Sequence, residues 1–329
     1  MSKGSNQKHK ILVILKLLRE KTDENHCIKT NDILHELQQN GIDAERKSIY
    51  DDISVLQEFG YNIITERGPS GGYRLVDRHF ELAELKILVD AIQASKFISS
   101  KKSKELIAKI SNMTSSNEAK QLERNVYIND RIKTMNTSIY YNVDRLHSAI
   151  LNQKQISFKY WEWTIQKEQK EKRNGKYYEI SPWSLVWSND CYYLIGYEEG
   201  TQLIKHYRVD KMRTIKVLEK SRCGKDDFKN FNLVSYMKKT FNMYGGDDKN
   251  VSIRFPNSKI SPVIDKFGTD VPIKRDGKDN FILKVEISIS NQFFGWLSGL
   301  GEGIQILGPS DLVDDYIGFL KNIESNYLG

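Results

Sequence analysis

The sequence has little cysteine, and what it has is badly placed for chemistry. Cys27, Cys191 and Cys223 lie far apart and are odd in number, which excludes a disulfide framework and a paired CxxC metal knuckle. They read as reduced, packed thiols. Histidine is as sparse: the six imidazoles include no HxxxH or HExxH pair that would set two ligands on one helical face, so neither a metal nor a cofactor is expected. Long apolar runs are missing too, since a membrane helix needs about 20 such residues in succession. The start, MSKGSNQKHK and then ILVILKLL, has the basic-then-apolar order of a signal peptide. Lys16 interrupts it, no small-x-small cleavage site follows, and a polar stretch covers residues 19–25. The expectation is a soluble, unexported, cytoplasmic protein with no membrane partner. Proline is scarce, at six residues, while 39% of the chain is hydrophobic and 28% charged, which argues against extended disorder. No triad, metal set or carboxylate pair stands in a suitable context, so an enzyme is not expected.

What is present points to several folding units, because 329 residues exceed what one ordinary core organises. The net charge of +7 suggests an acidic partner, but it is unevenly spread. Residues 1–80 balance 12 Lys and Arg against 12 Asp and Glu, residues 81–240 carry 29 against 19, and residues 241–329 carry 9 against 12. A DNA-binding head at the N-terminus must therefore rely on where its cations stand.

From about Lys8 to Lys21, Ile11, Leu15 and Leu18 recur at helical spacing, with Leu12 and Ile14 beside them. Thr30 is placed to cap a short second helix that carries Ile33, Leu34 and Leu37 and ends at Asn40-Gly41. Asp43 is placed to cap a third, running to Phe59 with Ile49, Ile53 and Leu56 as its buried stripe. Strand-like runs at 61–66 and 73–76, joined by RGPSGG at 67–72, then form a hairpin. Three helices and a hairpin make a winged helix-turn-helix. With its apolar stripe inward, the third helix presents Arg46, Lys47, Ser48, Tyr50 and Asp51 to a duplex groove, where arginine or lysine donates to guanine. Arg67, Ser70 and Arg74 reach flanking phosphates or the minor groove from the wing. The same face also suits a winged helix that meets a protein, and the neutral local charge keeps that reading open.

Two motifs mislead. GPSGG at 68–72 satisfies G-x-S-x-G, but a nucleophile elbow needs a strand before the serine and a helix after it, and here a strand follows. GLGEG at 299–303 hints at a phosphate loop, yet it runs from helix to strand, the reverse of a dinucleotide loop.

Apolar residues at helical spacing continue through 80–98 (Leu82, Leu85, Leu88, Val89, Ile92), at Leu106, Ile107 and Ile110, and from Tyr127 to Leu151 (Ile132, Met135, Ile139, Val143, Leu146, Ile150). Such a seam packs internally or forms a dimer interface. After Asn152 the texture turns to short β-rich runs at 156–161, 177–187, 191–197, 203–209 and 214–218, which suggests a small barrel.

Within these runs, SPWSLVW at 181–187, YYLIGY at 192–197 and HYRVDKM at 206–212 resemble the core of a WYL domain. The GPSGGY wing resembles that family's usual N-terminal domain, and FGWLSGLG at 294–301 with ILGP at 306–309 resembles its C-terminal extension. One departure is plain: the name-giving Trp-Tyr-Leu is Tyr192-Tyr193-Leu194 here. Where many members place an arginine shortly before the proline of the first motif, this chain has Tyr178, which removes one anion contact.

The resemblance implies an SH3-like β-barrel that binds an effector, with small-molecule, nucleotide or nucleic-acid ligands, inside a bacterial, homodimeric transcriptional regulator of a double-stranded operator. Local chemistry agrees, since Tyr193, His206, Arg208 and Lys211 mix aromatic faces with cations. Strand alternation puts His206 and Arg208 on one side and Tyr207 on the other, in the core. Ser181 completes the expected effector set. The alternative is an adaptor whose basic barrel binds single strands and whose winged helix contacts a protein. The last eighty residues read as βαββαβ and a final helix, a ferredoxin-like unit. The expected architecture is thus α+β and multidomain: winged helix-turn-helix at 1–78, helical linker at 79–152, WYL barrel at 153–222, connector at 223–247 and ferredoxin-like extension at 248–329.

Overall fold

In a computed structural model the described residues are 3–68, 71–76, 78–122, 133, 134, 136, 138–229 and 231–328. They fall into two compact units, Met1–Tyr140 and Tyr141–Gly329.

The first unit opens with α1 (Lys3–Lys21), α2 (Thr30–Gln39) and α3 (Arg46–Glu58), followed by an antiparallel pair, β1 (Ile63–Thr65) and β2 (Tyr73–Leu75). One core joins them. Ile14 and Leu18 of α1, Ile33 and Leu37 of α2, Ile49, Ile53 and Leu56 of α3, and Ile63, Tyr73 and Leu75 of the hairpin are all buried together. The apolar stripe of α3 is the one its spacing foretold. Its cap is not: Glu45, with extended backbone, occupies the N-cap position, and Asp43 lies outside the helix. Two polar ties fix α3, Lys10 to Asp52 at 2.9 Å and the Gln57 amide to the Ile63 carbonyl at 2.6 Å. Gly72 is required by contact, because a Cβ there would stand 2.3 Å from the Ile28 carbonyl oxygen, where the chain segment at Ile28 pairs with Tyr73.

Three more helices complete this unit: α4 (Leu82–Ala94), α5 (Ser100–Ser111) and α6 (Ser116–Leu122). The first is shorter than the expected span 80–98, because the Glu81–Glu84 capping box starts it and Ser95 leaves helical geometry. Leu85, Val89 and Leu122 form their small core. Asp23 links the two groups of helices by accepting from the Ser115 hydroxyl at 2.5 Å. Ile132 and Met135 of the expected seam lie outside the described residues, as do Ser70 and Pro69 of the glycine-rich loop.

Helix α7 (Ile139–Leu151) belongs to the second unit from Tyr141 onward and leads into a curled half-barrel sheet. Its strands are β3 (Lys154–Trp163), β4 (Gln169–Glu171), β5 (Tyr178–Ser188), β6 (Cys191–Glu198), β7 (Leu203–Arg208) and β8 (Met212–Ser221). They run in the order β4-β3-β5-β6-β7, with β8 on the other edge of β3. Ile156, Phe158, Ile180 and Leu194 are buried, and the rings of Phe158, Tyr178 and Tyr207 meet at 5.3–5.8 Å. Asn142 of α7 donates to the Met212 carbonyl at 3.2 Å, and Leu146 and Ala149 of the same helix are wholly buried.

Two short helices, α8 (Lys225–Lys229) and α9 (Leu233–Lys239), follow the sheet. Phe228, Phe231, Leu233, Tyr236 and Met237 pack on Val186, Tyr193 and Ile195 of β5 and β6. The chain then enters a four-stranded antiparallel sheet in the order β10-β11-β9-β12. Its elements are β9 (Asp248–Pro256), α10 (Ile260–Phe267), β10 (Ile273–Asp276), β11 (Asn280–Ser288), α11 (Asn291–Gly299), β12 (Gln305–Gly308) and α12 (Ser310–Leu328). This is the βαββαβ succession read from the sequence. Phe255, Phe281, Phe293 and Leu297 lie at the centre of its core. GLGEG at 299–303 turns from α11 toward β12 with Gly301 and Gly303 at φ of 85°, so it is a helix-to-strand turn.

Candidate functional site

One concave site in the second unit is a cavity of about 430 Å³ walled by β3, β6, β7 and the turns beside them. Four of the five effector residues expected from the sequence converge there: Tyr193, His206, Arg208 and Lys211. Strand pairing explains it. Tyr193 of β6 stands opposite Arg208 of β7, so both side chains leave the same face of the sheet, and His206 lies two residues back on that face. Tyr207 points the other way and is buried.

Arg208 makes a bidentate pair with Asp210, Nε to Oδ1 at 3.1 Å and Nη2 to Oδ2 at 2.9 Å. This leaves its Nη1 edge without a described partner. The Arg208 backbone N–H donates to the Tyr160 hydroxyl at 3.2 Å, which fixes the strand end. Hydrogen bonding to Asp210 raises the guanidinium pKa further, against the opposing effect of burial. Lys211 moves in the opposite sense, because burial and then the charge on Arg208 both disfavour its ammonium. A cation pair crowded in this way gains from an anion placed between them. His206 sits with Nδ1 2.9 Å from the Tyr236 hydroxyl, and burial lowers its pKa. The Tyr193 and Tyr160 phenols are pushed up by burial, so both stay protonated near neutrality.

The rim was not legible in the sequence. It consists of two tight turns, Asn189 and Asp190 at φ of 47° and 60°, and Asn242 and Met243 at φ of 51° and 60°. The Asn189 amide donates to the Asn242 side-chain oxygen at 2.5 Å and ties them together. Met243 is buried despite its left-handed backbone, a conformation that costs on the order of 1 kcal/mol or more for such a residue.

Ser181 does not join this cavity. It is 1% exposed, its hydroxyl accepts from the Cys223 N–H at 2.9 Å, and it borders a separate depression with Gln155, Glu179 and Tyr197. Strand pairing explains it: Ser181 stands opposite Tyr197, four residues along β6 from Tyr193, so it lies at the far end of that strand pair from the cavity. Cys27, Cys191 and Cys223 form no disulfide and are half-buried rather than fully packed.

In the first unit, Arg46, Lys47, Tyr50 and Asp51 are all exposed on α3, and Tyr50 lines a groove of about 440 Å³ between α3 and the β1–β2 loop. Arg46 is held by Asn31 of α2, Nη2 to Oδ1 at 2.7 Å. Ser48 is half-buried, its hydroxyl donating to the Glu45 carbonyl at 2.8 Å. Arg74 is half-buried and engaged by Glu66 at 2.8 Å and by the Glu24 carbonyl, whereas Arg67 is exposed. Ser70 lies outside the described residues. Among the described residues no cluster of three or more metal-type side chains occurs, and no helix is long and apolar enough to cross a membrane.

Residues 141–217, which take in most of α7 and the curled sheet as far as Val217 of β8, match the family described as the WYL domain. Solved structures similar to the chain include two that match almost the whole of it. One is the proteasome accessory factor B/C (PafBC) of Arthrobacter aurescens, 18% identical over 95% of this chain and 46% of that one, with a TM-score of 0.27. The other is described as a CRISPR Cas-related protein, 13% identical over 98% of this chain and 85% of that one, with a TM-score of 0.36. The chain thus spans less than half the length of the PafBC chain. No curated protein matches it.

Proposed function

We propose that the protein is a DNA-binding transcriptional regulator, acting as a homodimer without enzymatic activity, whose WYL domain binds an anionic effector with a planar ring. The observation that carries this reading is the cavity in which the Tyr193 and His206 rings share one wall with Arg208 and Lys211. Ring faces hold a base, and the two cations hold a phosphate, so a nucleotide is the chemistry that fits best. We read the three helices and hairpin at 1–78 as a winged helix, the helices at 79–152 as a linker, 153–222 as an SH3-like barrel, 223–247 as a connector and 248–329 as a ferredoxin-like extension.

Support for duplex recognition is the exposure of Arg46, Lys47 and Tyr50 on the face of α3 opposite its buried stripe. Effector binding tests the reading at the cavity. A nucleotide panel screened by thermal shift should yield a stabilising ligand, and Arg208→Ala should remove that shift while operator binding in its absence persists. A full ligand response in the variant would move the site elsewhere. At the helix, Arg46→Ala should weaken operator binding by roughly 1–3 kcal/mol and relax one base position. Unaltered affinity in a footprint titration would remove Arg46 from the reading set.

A further inference from the structure

The first unit also holds a cavity of about 510 Å³, walled by the turn between α1 and α2, the segment joining β2 to α4, and α6. That volume suits a small molecule, for which sites run to about 300–1,000 Å³. Among the described lining residues Arg78 is the one cation, and Glu24, Glu81 and Glu118 carry carboxylates. Arg78 is half-buried and spends only Nη2 on the protein, donating to the Arg19 carbonyl at 2.9 Å and to the Thr22 carbonyl. Its Nε is shielded from water and has no hydrogen-bond partner among the described residues. An orphaned donor of this kind costs free energy until something accepts from it. Glu118 of α6, half-buried as well, accepts from the Thr114 hydroxyl through Oε2, which leaves Oε1 without a described partner. Burial holds the Arg78 guanidinium below its ordinary pKa, an effect that the charge of Glu118 offsets only in part. The two opposite charges thus face one cavity and act on each other without forming an ion pair. Part of the remaining wall is apolar: Val76 and Leu82 are half-buried, and Phe80 is exposed.

We propose that this cavity binds a free α-amino acid with an apolar side chain. The carboxylate would accept from the Arg78 guanidinium, the ammonium would donate to Glu118 and Glu24, and the side chain would lie on Val76, Phe80 and Leu82. Molecules with one sign of charge fit poorly, since a bare cation meets the guanidinium and a simple anion meets three carboxylates. A compact species that carries both charges satisfies both sides, and the apolar wall then favours a large aliphatic or aromatic side chain over glycine. The site stands apart from the effector cavity, which lies in the other unit. Its walls come from the winged-helix core on one side and from α6 on the other, near the place where Asp23 accepts from Ser115. An occupant would therefore bridge the two groups of helices.

The experiment is a thermal-shift screen of the full chain with leucine, isoleucine, methionine, phenylalanine and glycine, followed by calorimetry with the best of them. One of the four apolar amino acids should stabilise the chain, and glycine should not. Its amide, which lacks the carboxylate, and its N-acetyl derivative, which lacks the ammonium, should each bind about ten- to a hundredfold more weakly, as loss of one charged hydrogen bond predicts. Glu118→Gln keeps an acceptor for Thr114 while removing the charge, and should weaken binding by a similar factor. Arg78→Gln should abolish it. The proposal falls if no amino acid binds, if either derivative binds as well as its parent, or if Glu118→Gln binds as the intact chain does. Tighter binding of putrescine than of any amino acid would show that the carboxylates serve a dication, and would overturn it too. Should Arg78→Gln lose its thermal transition, because Nη2 also holds two backbone carbonyls, the two derivatives and Glu118→Gln decide the matter.

Discussion

His206 shows how much a single residue reveals about the cavity. Its ring is taken out of water beside Tyr193 and Tyr236, and burial penalises the imidazolium, so the folded-state pKa lies below the ordinary 6.5. The unfolded chain then takes a proton first as pH falls through 6.5, and stability drops from there until the folded-state value is passed. An NMR titration should place the His206 midpoint under 6.5; a midpoint at or above that value would contradict a ring shielded from water. Thr22 offers a second test at this scale. Wholly buried, it donates to the Leu18 carbonyl at 2.6 Å and accepts from the Leu75 N–H at 3.0 Å, joining α1 to β2. Thr22→Val keeps the shape and strands the Leu75 donor, which should cost roughly 1–3 kcal/mol by chemical denaturation. A loss near zero would show that water replaces the hydroxyl.

Elements differ in how far the sequence discloses them, and the reason is locality. The stripe of α3 was legible because Ile49, Ile53 and Leu56 repeat at the helical period, and the convergence of Tyr193, His206 and Arg208 was legible because strand alternation and cross-strand pairing are short-range rules. Ser181 was misplaced because its pairing partner is Tyr197, four residues along β6 from Tyr193, and that register is not written in residue type. Tyr160, Asn242 and Met243 were missed because they reach the cavity from distant segments through packing. The rim turns give a prediction at this level. Asn242→Gly tolerates the left-handed backbone and removes only the amide that Asn189 engages, so it should destabilise by about 1 kcal/mol and loosen effector binding by a similar amount. Unchanged effector affinity, measured by calorimetry, would show that the rim does not shape the site.

For the whole molecule the decisive property is where charge sits, because counterion release reports the number of phosphates a protein neutralises. The segment proposed to grip the duplex is neutral over residues 1–80, and the excess of cations lies in residues 81–240. On α3 and the hairpin, Arg46, Lys47 and Arg67 are exposed, while Arg74 is tied to Glu66 and to the Glu24 carbonyl. Three exposed cations per head, doubled in a dimer, give a slope of roughly −5 in log affinity against log salt, at about −0.9 per phosphate. A slope near that value in an operator titration says that the heads alone touch DNA. A slope approaching −10, the range of a protein with many backbone contacts, requires the basic sheet to lie on the duplex as well. Combining the titration with Arg213→Gln and Lys216→Gln, two exposed cations of β8, separates the two: if the heads act alone, the duplex slope stays fixed. A duplex slope that flattens in that variant would assign the cations of β8 to double-stranded DNA as well.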